Sequence, residues 1–133
     1  MKYLILIWSN PTSRQLWEGF SDEQRGVGLE AYETLNRSLA ASGELVVSEA
    51  LSDASQTRRV QVRGGRVQTT DGPFAEAKEL LAGIILVDCA SMDAAIAHAA
   101  RVPEAALGLV EVRPVMDLSG FLGSSPTGSE SAP

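Results

Sequence analysis

KYLILIW, residues 2–8, decides the architecture. The stretch is short, rich in Ile and Leu, and stops at Ser9-Asn10-Pro11, a turn cluster. Apolar residues occupy both of its faces, so it reads as a central strand buried on both sides. Moving outward, the apolar spacing changes. Val27, Ala31, Leu35 and Leu39 recur on one helical face, with Tyr32 beside them. Ser21 offers the N-cap and Gln24 completes a capping box. Asp22 and Glu23 favour the positive helix N-terminus, and Gly43 suits the C-cap. Gly26 and Gly28 weaken this helix by about 1 kcal/mol each relative to Ala.

Strand-like stretches follow. Glu44–Leu51 is one. Arg58–Arg63 alternates strictly, with Val60 and Val62 on one face and Arg59, Gln61 and Arg63 on the other. Gly64-Gly65 is a hairpin signal, and Arg66–Thr70 returns as a short strand. Thr70–Phe74, TDGPF, combines residues that turns require and reads as a loop. Leu80–Cys89 is a long apolar strand. Ser91 caps a second helix, with Met92, Ala95, Ile96 and Ala99 as its inward stripe and Pro103 as its stop. Leu109–Val115 is the last strand. Val110 and Val112 should pack under the helices, and Glu111 and Arg113 should face the other way.

This order predicts an α+β fold, a ferredoxin-like sheet with two helices on one face and an extra β-hairpin. The other face carries Tyr, Leu and Ile without a helix to cover them. Such a face calls for a cover, and a twofold homodimer closing into an α+β barrel is the commonest solution.

Composition narrows the function. The chain has 133 residues, one domain's worth, and its net charge is −6. With 44% hydrophobic residues it is too apolar to be disordered throughout. It is too acidic to bind nucleic acid through a general basic surface. Residues 119–133 hold ten Ser, Gly or Pro and one charge, Glu130, and read as a flexible tail after a domain spanning 1–118. The run Tyr3–Trp8 is too short for a signal h-region, and no later run approaches the roughly 20 residues of a membrane span. A cytoplasmic protein is expected. One cysteine, Cys89, excludes an internal disulfide, and one His with one Cys is no metal ligand set, so no metal or cofactor is expected.

The segment TDGPFAEAKE, Thr70–Glu79, carries a family resemblance. With the opening MKYLILIW, the SEAL segment at Ser48–Leu51, the helix end from Ala99 to Pro103 and VEVRPV at Val110–Val115, the chain resembles the YCII-related, DGPF-type family of small bacterial proteins. The resemblance implies a dimeric α+β barrel. It also implies small-molecule binding or an activity not yet assigned, and for some relatives an association with extracytoplasmic-function sigma factors. The wider group is similar to enzymes proposed to use a His–Asp pair with the His in the first helix. Here Ser21–Ser42 contain no His.

The candidate site residues have two readings each. Asp71 is a general acid or base, or else the Asx residue of a turn built with Gly72, Pro73 and Phe74. Glu76, Lys78 and Glu79 either line a cleft beside that loop or form a solvated segment. Glu111 and Arg113, joined by Glu49, either form a polar pocket between subunits or an ion pair that sets dimer register. His98 lies roughly 120° from its helix's inward stripe, on a flank and away from the open sheet face. The alternatives are therefore a ligand-binding or weakly catalytic homodimer, a non-enzymatic accessory module acting by protein contact, and DGPF as a folding and dimerisation device.

Overall fold

β1 (Lys2–Ser9) pairs antiparallel with strands on both sides, so it is the central strand that its sequence predicts. Its partners are β5 (Leu80–Asp88) and β6 (Val110–Pro114), and β2 (Leu45–Ala50) adds to the far side of β5. The resulting order, β2-β5-β1-β6, is antiparallel throughout and compatible with a ferredoxin-like fold. β3 (Arg58–Arg63) and β4 (Arg66–Asp71) form a separate two-stranded sheet. The computed structural model describes residues 1–122.

Alternation along β1 sorts its residues. Tyr3, Ile5 and Ile7 are buried, whereas Leu4, Leu6 and Trp8 are half-buried on the opposite face. Only one face of the strand is covered, contrary to the two-sided burial expected. Tyr3 lies on the covered side, so the open face carries Leu and Ile but not this Tyr. On the covered side Ile85 and Val87 of β5 meet α2 (Asp22–Ser42) through Leu35 and Leu39, and α3 (Met92–Ala99) through Ala95 and Ala99. Val110 and Val112 join this core as expected, and Cys89 is a buried packing residue beside it.

The local signals at the helix ends operate as read. Gln24 N–H donates to Ser21 Oγ at 3.1 Å, and Ser21 N–H donates back to Gln24 Oε1 at 2.8 Å. Gly43 caps the other end at φ 80°, in the left-handed region that glycine tolerates best. Ala94 N–H donates to Ser91 Oγ at 3.1 Å. The Tyr32 hydroxyl donates to the Glu104 carboxylate, tying α2 to the 3-10 turn at Pro103–Leu107. Burial, then Glu104, holds the Tyr32 phenol protonated far above its ordinary range.

Two further expectations are corrected. Ser9-Asn10-Pro11 opens a helix, α1 (Pro11–Gly19), with Asn10 and Ser13 forming a capping box and Pro11 at the first position. Pro there lacks an N–H that would have no helical partner anyway, so a turn cluster doubles as a helix start. Val27 and Ile96, expected inward, are 64% and 50% exposed. α2 packs on the core through its second half, where Leu35 and Leu39 are buried, and its first turns carry no buried residue. In α3 the buried alanines set the contact line and leave Ile96 beside it. Residues 119–122 form a helical turn, α4 (Ser119–Leu122), that begins where Asp117 Oδ1 accepts from the Ser119 N–H and hydroxyl. The rest of the expected tail lies outside the described residues.

Leu39→Ala should cost about 3 kcal/mol in urea unfolding, because a fully buried leucine leaves a cavity. Ile96→Ala should cost under about 1 kcal/mol. Equal losses would show that the core has been misplaced.

Candidate functional site

The uncovered sheet face is ordered by strand register. Glu49 of β2 pairs with Ile84, Ile84 with Leu6, and Leu6 with Glu111 of β6. The next row runs Val47, Leu86, Leu4, Arg113. The expected trio Glu49, Glu111 and Arg113 therefore shares one face, with four aliphatic residues between its two edges. Three strand spacings separate Glu49 from Glu111, about 14 Å. Carboxylates that far apart within one chain cannot act on one bond together. They are suited to gripping two ends of something that lies across the aliphatic strip.

Trp8 completes this face. Its indole N–H donates to Glu111 Oε1 at 2.9 Å, which orients the carboxylate at the edge of the strip. The β1–β5 register shifts between Ile7 and Trp8, so that Trp8 pairs with Leu81 and Ala82 is the extra residue. The Ala82 carbonyl accepts from Leu51 N–H at 2.8 Å. Gly83 lets β2 come close, since a Cβ there would lie 3.1 Å from the Glu49 carbonyl oxygen. Glu49 thus owes its place to a missing side chain. Trp8 was not among the expected site residues. The parity of β1 is the signal that finds it, because Trp8 falls on the same face as Leu4 and Leu6.

The DGPF segment is placed differently. Asp71 ends β4 opposite Arg58, the first residue of β3, and Arg58 Nε lies 3.3 Å from Asp71 Oδ1. The two side chains are 58% and 88% exposed. Gly72, at φ 82°, donates its N–H to the Thr57 carbonyl at 2.7 Å. Phe74 lies under the Arg59 guanidinium, 4.1 Å from ring centroid to carbon, a cation–π contact. The loop thereby grips both arginines at the stem of the β3–β4 hairpin. Pro73 is half-buried, and Glu76, Lys78 and Glu79 are exposed. No hydrogen bond or ion pair joins this group to Glu49, Glu111 or Arg113. Two shallow depressions of the chain lie along α2 instead. Among the described residues no group of three His, Cys, Asp or Glu gathers as a metal site. No described helix is long and apolar enough to cross a membrane.

His98 sits on the flank of α3, as expected, and its Nε2 lies 3.1 Å from Glu44 Oε2. The Ser42 hydroxyl, then His98, holds the Glu44 carboxyl below its ordinary value of 4.5. This pair ties α3 to the start of β2, on the far side of the sheet from Glu111.

Comparison with known proteins supplies a family. The model of the YCII-related domain matches residues 1–119. An uncharacterised protein of Rhizobium meliloti (strain 1021) is 32% identical over 117 residues, which cover 86% of this chain and 92% of that one.

A depressed carboxyl stabilises the fold above its unfolded value and loses that effect as pH falls through its folded value. Glu44 should therefore contribute stability above about pH 4.5 that disappears below it. Thermal unfolding followed from pH 6 to pH 3 should fall less steeply for Glu44→Gln than for the unaltered protein. At the loop, Asp71→Asn should cost under about 1 kcal/mol in urea unfolding, since exposed ion pairs contribute little. Gly72→Ala should cost about 1–2 kcal/mol from backbone strain alone. A larger loss for Asp71→Asn than for Gly72→Ala would reverse this ranking.

Proposed function

The chain belongs to the YCII-related domain family, and from that premise we propose that two copies pair through the open sheet face and bind a small molecule between them. The single observation that carries this reading is the composition of that face. Among the described residues no helix packs over Leu4, Leu6, Ile84 and Leu86, yet Glu111, Glu49, Arg113 and Trp8 stand at their borders. An apolar floor with a few convergent polar groups is what ligand sites are built from. A second copy brings an identical floor, which closes the space without requiring a different partner.

The ligand class follows from the lining. The floor suits an apolar body. Glu111 and Glu49 accept hydrogen bonds or a positive charge, and Arg113 takes a carboxylate or another anion. The DGPF loop enters β5 at the end where Trp8 meets Glu111, since Ser9 pairs with Leu80. Lys78 and Glu79 then stand at the mouth of the cleft. Asp71 acts on the hairpin stem, and the site binds by shape and hydrogen bonding.

Light scattering on a sizing column should report a dimer, and Leu6→Lys should convert it to a folded monomer. Ligand-observed NMR with small amphipathic acids and amines should find binders to the dimer. Glu111→Gln and Trp8→Phe should each weaken the best of them by about tenfold, the loss of one buried hydrogen-bonding group. A dimer that keeps full affinity in both variants would remove this face as the site.

A further inference from the structure

Glu111 and Arg113 lie on the same side of β6, with only Val112 between them. Two residues along a strand span about 7 Å, and opposite charges at that spacing on one face are placed to pair with each other. They do not pair. The Trp8 indole N–H takes Glu111 Oε1 at 2.9 Å instead. Leu4 stands beside Arg113 and Leu6 beside Glu111, so Trp8, two residues further along β1, lies on the side of Glu111 away from Arg113. The indole therefore draws the carboxylate away from the guanidinium. Among the described residues no side-chain hydrogen bond or ion pair reaches Arg113, and none reaches Glu111 Oε2.

The surroundings of this separated pair restrict what can join it. Leu6 and Leu4 stand beside the two charges, and Ile84 and Leu86 stand one strand further in. Once the face is covered, a charge left without a partner in that apolar space is costly. A ligand with one charge satisfies one of the two and leaves the other. A ligand with an ammonium and a carboxylate on one carbon satisfies both. Each end adds a charge-assisted hydrogen bond of about 2.8 Å, and together these span the gap. The remaining substituent on that carbon lies over Leu6 and Leu4 toward Ile84 and Leu86. Glu49, about 14 Å from Glu111 at the far edge, stands past the end of such a molecule.

We infer that the open face takes a free α-amino acid with an apolar side chain. Its ammonium donates to Glu111, its carboxylate accepts from Arg113, and its side chain rests on the aliphatic floor. Glu111 has only acceptors to offer and Arg113 only donors, so the orientation of the zwitterion is fixed. The indole of Trp8 holds the two protein charges apart and leaves Oε2 for the ligand.

This inference rests on the open face being a ligand site, and three probes separate the two. L-leucine carries both charges, N-acetyl-L-leucine lacks the ammonium, and L-leucinamide lacks the carboxylate. The chain has two tryptophans, so the two indole N–H signals in a nitrogen–proton correlation spectrum report position: leucine should shift Trp8 and leave Trp17, on α1, unmoved. N-acetylleucine and leucinamide should each bind about tenfold more weakly than leucine, the loss of one charge-assisted contact. Glu111→Gln should narrow the gap between leucine and N-acetylleucine to within about threefold, and Arg113→Gln the gap between leucine and leucinamide, with circular dichroism checking that both variants fold. If either singly charged probe binds as tightly as leucine while shifting Trp8, the zwitterion is overturned and the ligand site stands. If the gaps persist in both variants, other residues read the two charges and the assignment to Glu111 and Arg113 is overturned. If leucine leaves Trp8 unmoved while the simple acids or amines tried above shift it, the inference fails and the site stands. If no probe shifts Trp8, both fall.

Discussion

Everything in this molecule depends on the parity of one strand. β1 has neighbours on both sides, and Ile5, fully buried, sits between Ile85 and Val112. Odd residues of β1 fasten α2 and α3 to the sheet. Even residues make the open face and bring Trp8 to Glu111. A slip of one residue would exchange the two sets, placing an indole among the helices and leaving Tyr3, Ile5 and Ile7 in water. The cost of that exchange is what fixes the register, and the register is what lines up Glu49, Ile84, Leu6 and Glu111.

What was legible in the sequence follows from how local each signal is. The capping boxes, the left-handed Gly43 and the Gly64-Gly65 turn each answer to a few neighbouring residues and could be read directly. Strand identity was legible for the same reason, since Arg58–Arg63 alternates within itself. Val27 and Ile96 were misplaced because their exposure depends on where a helix crosses the sheet, which periodicity does not encode. α1 was missed because Asn10-Pro11 serves a turn and a helix start equally well. At the candidate site, alternation alone put Glu111 and Arg113 on one face, and it is the register of β2, β5 and β1 that brings Glu49 to that face. Trp8 was overlooked because its hydrogen-bond partner lies on another strand, 103 residues along the chain.

The DGPF segment shows how one residue pattern serves chemistry or mechanics. Asp, Gly, Pro and an aromatic at a loop invite a catalytic reading. Their contacts here are with Thr57, Arg58 and Arg59, all at the stem of the hairpin. The ion pair is exposed and weak, whereas the Gly72 backbone bond is short and its conformation is one that other residues resist. The rigidity of the segment therefore resides mainly in its backbone.

The hydrogen bond from Leu51 to Ala82 has a wider meaning. Residues 52–79 leave the main sheet and the chain rejoins it at Leu80, with the Leu51 N–H 2.8 Å from the Ala82 carbonyl oxygen. β2 and β5 would remain adjacent antiparallel strands with a two-residue turn in that place. The hairpin is thus a self-contained insertion, free to lengthen, shorten or change sequence without moving a strand of the four. Closure entropy grows only with the logarithm of loop length, so such changes are cheap for stability. A foreign segment spliced in at the Gly64-Gly65 tip should find a scaffold that already holds its two ends together.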